Sequence, residues 1–182
     1  MSDAVAVVAA WIERAVVGHN LCPFAQSTIR KNSLSLVSHS ATSVEDAVER
    51  LVVEAFALVS GPPEQTTIVV FEQGLDAFDD FLTVIDSAEV VFEAMELGSD
   101  VQLAHFHPNY CFSGSGEDEA ANFTNRSPYP AVHLLQVHDV AEAIQNHPDT
   151  LAIPKRNIEH LSSLSKAELE DLQYGAGDGC GE

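Results

Sequence analysis

Residues 101–130 read VQLAHFHPNYCFSGSGEDEAANFTNRSPYP and concentrate reactive side chains between punctuating glycines and prolines. His105 and His107 alternate, Cys111 adds a thiol, Tyr110 and Tyr129 add phenols, and Arg126 is one of only eight Lys and Arg residues against 28 acidic ones. A second thiol, Cys22, sits earlier in NLCPFA. Imidazoles exchange protons near neutral pH, thiols act as nucleophiles or metal ligands, and a guanidinium offers a planar fork to carboxylate or phosphate. The enzyme these residues suggest holds a small anionic molecule with Arg126, Asn125, Ser127 and Tyr129. His107 moves a proton, Cys22 supplies a nucleophile or ligand, and Tyr110 orients the reacting group.

Each of these residues also admits a plainer reading. Cys22 follows a predicted helix C-terminus, whose negative dipole end disfavours a thiolate, so it also reads as a small buried thiol before the turn at Pro23. His105 and His107 lie two apart on a predicted strand and point the same way. With Cys22 or His133 as a third ligand they would suit zinc or another transition metal, though no Cys-x-x-Cys or His-Glu-x-x-His spacing accompanies them. Haem has only the Cys22–Pro23 dipeptide behind it and is not expected. Arg126 reads equally as an anion anchor or as an internal tie to Glu117, Asp118 or Glu119. The SGSG at 113–116 lacks the spacing of a phosphate-binding loop, so no nucleotide is implied. A non-catalytic module that binds a metal or ligand is therefore the alternative to an enzyme.

Positioning these groups falls to alternating helix and strand signals. A helix is predicted over 2–18, with Ser2 as N-cap and Gly18 just past its end, and Pro23 forces residues 20–26 to be irregular. A short strand over 34–38 precedes a helix opened by Thr42 and Glu45 and running to 59. The β-branched run over 66–71 reads as a buried strand, followed by a helix over 77–97 that Gly98 closes. Strands over 101–107 and 131–137 flank an aperiodic loop at 108–130, long enough to be functional or mobile. On the first of these, Val101, Leu103, His105 and His107 share one face, and Gln102, Ala104 and Phe106 the other. Asp139 caps a short helix ending near His147, Lys155 and Arg156 open another segment, and Ser165 with Glu168 caps a last helix to 174. Strand, helix, strand, helix, strand implies crossovers. The expected fold is a single-domain α/β sandwich over 1–174, a small parallel or mixed sheet of about four strands flanked by helices, with a flexible tail at 175–182 that carries Cys180.

Composition narrows the function classes. A chain of 182 residues with 46% apolar content supports one core, and no apolar run is long enough to span a bilayer. The N-terminus lacks a basic region and carries Glu13 and Arg14 among its apolar residues, unlike a signal peptide. A formal net charge of −20 repels nucleic acid and anionic membrane surfaces. Three cysteines without framework spacing fit reduced thiols, which places the expected site of action in the cytoplasm.

NLCPFA, FHPNYCFSG, NFTNRSPYPAVHLL and IPKRNI, in that order, resemble the motifs of a family of short bacterial proteins catalogued as domain of unknown function 1415. The resemblance runs from the first helix to about Leu164. It implies membership without an activity, substrate or cofactor, and it draws attention to Asn20, Cys22, Pro23, His107, Pro108, Tyr110, Asn125, Arg126, Ser127, Tyr129 and His133.

Overall fold

Four strands form one open mixed sheet in the order β1-β2-β4-β3, with helices over both faces. The computed structural model describes residues 2–147 and 149–175, so the expected tail beyond 175 and Cys180 within it lie outside the described residues. The chain opens with α1 (Asp3–Trp11), whose N-cap Ser2 accepts a bond from the Val5 amide, and the helix continues through π-helical turns over Ile12–Val17. It thus fills the predicted 2–18 span but widens along its second part. Gly18 ends it where a side chain would not fit: a Cβ there would lie 2.2 Å from the Arg14 carbonyl oxygen.

After the short α2 (Ala25–Arg30), β1 (Leu34–Ser40), α3 (Val44–Val59) and β2 (Thr66–Gln73) make a parallel crossover. Helix α3 starts one residue later than the Thr42/Glu45 pattern suggests. Ser43 caps the Asp46 amide, while the Thr42 amide and hydroxyl donate to the Asp46 carboxylate at 2.8 and 3.0 Å. Next, α4 (Phe78–Ala94) leads through a single 3₁₀ turn at Leu97–Ser99 to β3 (Val101–Phe106). Finally β4 (Ala131–Gln136) enters antiparallel between β2 and β3, with Ile68 and Ala104 opposite His133 on either side.

Alternation along the strands sends side chains into two cores. Val69, Phe71, Val132 and Leu134 pack beneath α3 and α4 against Leu51, Phe81 and Val84. On the other face Ile68, Val70 and Ala131 meet Val8 and Trp11 of α1, joined by Leu161 of α6 (Ile153–Ser162) and Leu172 of α7 (Lys166–Tyr174). Burying each such side chain is worth roughly 1.5–3 kcal/mol, so both faces are driven shut where helices cover them. The predicted capping box at Ser165 and Glu168 is present at the start of α7. Two helices depart from this pattern: α2 and α5 (Val137–Asn146) bury no residue at all. Among the described residues no helix is long and apolar enough to cross a membrane.

Candidate functional site

The long connection between β3 and β4 is tied down along its length by side chains bonded to backbone. Asn122, fully buried, accepts from the Phe112 amide (3.0 Å) and the Ser115 hydroxyl (3.1 Å) and donates to the carbonyls of Gly116 (2.8 Å) and Glu117 (3.2 Å). Arg126 donates from Nε to the Tyr110 carbonyl (3.1 Å) and from Nη2 to the Glu117 carbonyl (2.7 Å), and its guanidinium lies 4.6 Å from the centre of the Phe123 ring. Its fork is therefore occupied by the loop itself, as in the internal-tie reading, though by backbone oxygens instead of acidic side chains. Asn125 donates to the His105 carbonyl (3.1 Å), the buried Ser127 hydroxyl donates to the Tyr129 carbonyl (2.6 Å), and Tyr129 packs onto the α1-side core. All four residues expected to bind substrate hold the loop on the sheet.

His107 has no exposed surface. Its Nε2–H donates to the Leu75 carbonyl (3.0 Å) and its Nδ1 accepts from the Asn109 amide (3.0 Å), so both ring nitrogens are satisfied. The ring sits between Phe78 and Phe81, and burial lowers its pKa against the opposing pull of the Leu75 bond and of Asp76. His105 stacks on Tyr110 with ring centres 5.5 Å apart, and burial likewise lowers its pKa despite Glu89 and Asp86; Tyr110 itself is buried, which raises its pKa. These groups lie on the α3/α4 side. Cys22 lies on the opposite face of the sheet, at the wall of a cleft that includes neither His107 nor Arg126. The convergence of Cys22, His107 and Arg126 that the expected reaction needs is absent, because strand alternation turns the histidines away from the thiol. Among the described residues no group of three or more His, Cys, Asp or Glu side chains is placed to hold a metal ion, so His105, His107 and Cys22 do not form the expected ligand set.

That cleft is about 660 Å³ in volume. Its floor is the sheet face of Leu34, Ile68, Ala104, Phe106, His133 and Leu135; its walls are Trp11, Ile12 and Val16 of the α1–π-helix, Ile29 and Thr28 of α2, and Val140 and Ala143 of α5. The widened π turns contribute Ile12 and Val16, and such turns recur at functional sites. Helices α2 and α5 bury no residue completely and line this cleft, with Ile29 of α2 packed at the edge of the α1-side core. Cys22 is carried into the wall by the 18–24 loop, which α6 fastens. Arg156 donates to the Asn20 carbonyl (3.1 Å) and Asn157 to the Leu21 carbonyl (2.7 Å), while His160 and His19 pair through ring nitrogens 2.9 Å apart. Two of the motifs singled out in the sequence, NLCPFA and IPKRNI, are thus two sides of one junction.

His133 stands on the floor of this cleft. Its Nε2 and the Thr66 hydroxyl are bonded, and Thr66 is also 2.8 Å from the Leu134 carbonyl. The ring keeps part of its surface open to the cleft, yet the protein packed around it pushes its pKa down to about 4, leaving it neutral at pH 7. At the mouth stand Glu64, Asp139 and Glu142, with Lys31 bound to Glu64 at 2.8 Å. Three carboxylates against one ammonium make this opening unfavourable to anions.

His133 belongs to the motif positions and to the third-ligand reading of the metal set, but the cleft around it has no counterpart in the sequence pattern. No curated protein and no solved structure matches the chain. A family model described as protein of unknown function (DUF1415) matches residues 3–171, and the chain belongs to that family.

Proposed function

We propose that this protein binds a largely apolar, non-anionic small molecule in the cleft between the sheet, the α1–π-helix, α2 and α5. The observation that carries this reading is the pair of helices, α2 and α5, that bury no residue and present apolar side chains to a 660 Å³ space. That volume falls within the range of small-molecule sites, and a ligand covering about 200 Å² of apolar wall would gain roughly 5 kcal/mol from desolvation. In the loop at 108–130, by contrast, Asn122, Asn125, Arg126 and Ser127 are committed to holding the loop's own backbone and the end of β3. An anionic substrate is a poor fit to the acidic mouth. Cys22 and Cys111 are free thiols, which supports action in the reducing cytoplasm.

A second reading retains catalysis, because Cys22 and His133 both line the cleft: a thiol acting on the bound molecule, with the imidazole as base. Cys22→Ser would then abolish turnover and leave binding intact.

The test of the binding reading is a fluorescence titration with N-phenyl-1-naphthylamine, a neutral apolar probe, on the wild-type protein and on Ala143→Trp, which fills the cleft from α5. Saturable enhancement in the wild type, weakened at least tenfold in a variant of unchanged melting temperature, is the expected result. Equal binding by both proteins, or none by the wild type, contradicts it.

A further inference from the structure

The hydrogen bonds around Thr66 assign the tautomer of His133. A hydroxyl has one proton, and the Leu134 carbonyl 2.8 Å away can only accept, so that proton goes to the carbonyl. Thr66 then meets His133 as an acceptor, and Nε2 of His133 must be the protonated nitrogen. Nδ1 is left with a bare lone pair. No donor from the described residues reaches it, and it is not among the buried side-chain atoms that are sealed off without a partner. His133 and Thr66 both line the cleft.

This arrangement specifies what the cleft can recognise, and it rests on the binding reading above. We infer that His133 is the polar recognition residue of the cleft, accepting at Nδ1 a hydrogen bond from the hydroxyl or N–H group of an uncharged, mainly apolar ligand. A ligand that offers only an acceptor, such as an ether or ketone, would set lone pair against lone pair. A carboxylate would do the same and would also have to pass Glu64, Asp139 and Glu142. The protein packed around the ring keeps it neutral and removes the option of answering an anion by taking up a proton near pH 7. Thr66 is a positioning residue: it touches no reacting group but fixes which nitrogen is bare, as partners of the second ring nitrogen do elsewhere.

A matched pair of probes separates this inference from the reading beneath it. 1-Naphthol and 1-methoxynaphthalene share an apolar body, and only the first donates a hydrogen bond. On the wild-type protein at pH 7, 1-naphthol is expected to bind about 3- to 10-fold more tightly, as befits one neutral hydrogen bond. In His133→Phe the two should bind alike. Long-range ¹H–¹⁵N spectra of the free wild-type protein should show the His133 proton on Nε2, and Thr66→Val should allow it to redistribute. If both probes bind the wild type equally, or if the proton sits on Nδ1, the donor rule is overturned while the binding cleft stands. If neither probe binds, both fall together.

Discussion

Asn157 of α6 donates a 2.7 Å hydrogen bond to the carbonyl of Leu21, 136 positions earlier in the chain and immediately before Cys22. The pair is buried, so its loss is not made good by water. Asn157→Ala leaves the Leu21 carbonyl without this donor and is expected to cost about 1–3 kcal/mol, measured by urea denaturation. Because the bond also aims the 18–24 loop at the cleft, alkylation of Cys22 by iodoacetamide, followed by peptide mass mapping, should accelerate in the variant. An unchanged rate would mean that the loop holds its place without α6.

Asn122 organises the β3–β4 connection through four hydrogen bonds of its buried amide. Asn122→Ala is expected to destabilise the fold by about 2–4 kcal/mol, since several partners lose their mates together. Hydrogen exchange should rise over residues 111–119 and stay unchanged in β2. Arg126→Lys is expected to be milder, at about 1–2 kcal/mol, because an ammonium keeps the charge and loses the fork.

Gly18 closes the π-helical turns with no space for a side chain, its Cβ position lying 2.2 Å from a backbone oxygen. Gly18→Ala must push the Arg14 turn aside and is expected to lose about 1–3 kcal/mol in thermal or denaturant unfolding. A neutral outcome would show that the π geometry relaxes to an ordinary α-helix without penalty.

His133 makes stability depend on pH in a defined direction. Its folded pKa of about 4 lies below the ordinary 6.5, and burial is the sole cause, with no charged neighbour contributing. The unfolded chain therefore takes up a proton that the folded chain refuses. The contribution is complete above pH 6.5 and drains away as pH falls toward 4, and because the ring keeps part of its surface open to the cleft it amounts to less than about 3 kcal/mol. Burial lowers His105 and His107 in the same sense. In His133→Phe the slope of unfolding free energy between pH 6.5 and 4 should flatten relative to wild type; an identical slope would place the titration elsewhere.

Much of the scaffold was legible because local chemistry and tertiary role agree. The β-branched run that became β2 is buried on both faces, Ser165 and Glu168 form the capping box they suggest, and the alternation read along β3 is the one that separates His105 from Gln102. Helix α2 is not evident in the sequence, since AQSTIR offers only Ala25 and Ile29 as an apolar pair and closely follows Pro23. The place of β4 between β2 and β3 is a matter of strand order, which no local pattern encodes. The reading of a reactive centre in 101–130 rested on residue types, whereas Arg126, Asn125 and Ser127 bond to backbone carbonyls, partners that side-chain patterns do not reveal. The cleft was harder still: it is assembled from stretches far apart in the chain, and its polar floor is three residues from three strands, Thr66, Gln102 and His133.

Binding in the cleft is tested by a ¹H–¹⁵N chemical-shift map of the uniformly labelled protein titrated with 1-naphthol. Occupancy there should give saturable shifts clustered at Ile12, Cys22, Gln102, Phe106, His133 and Ala143. Shifts clustered instead at His105, Tyr110 and Arg126, or no saturable shifts at all, would contradict it.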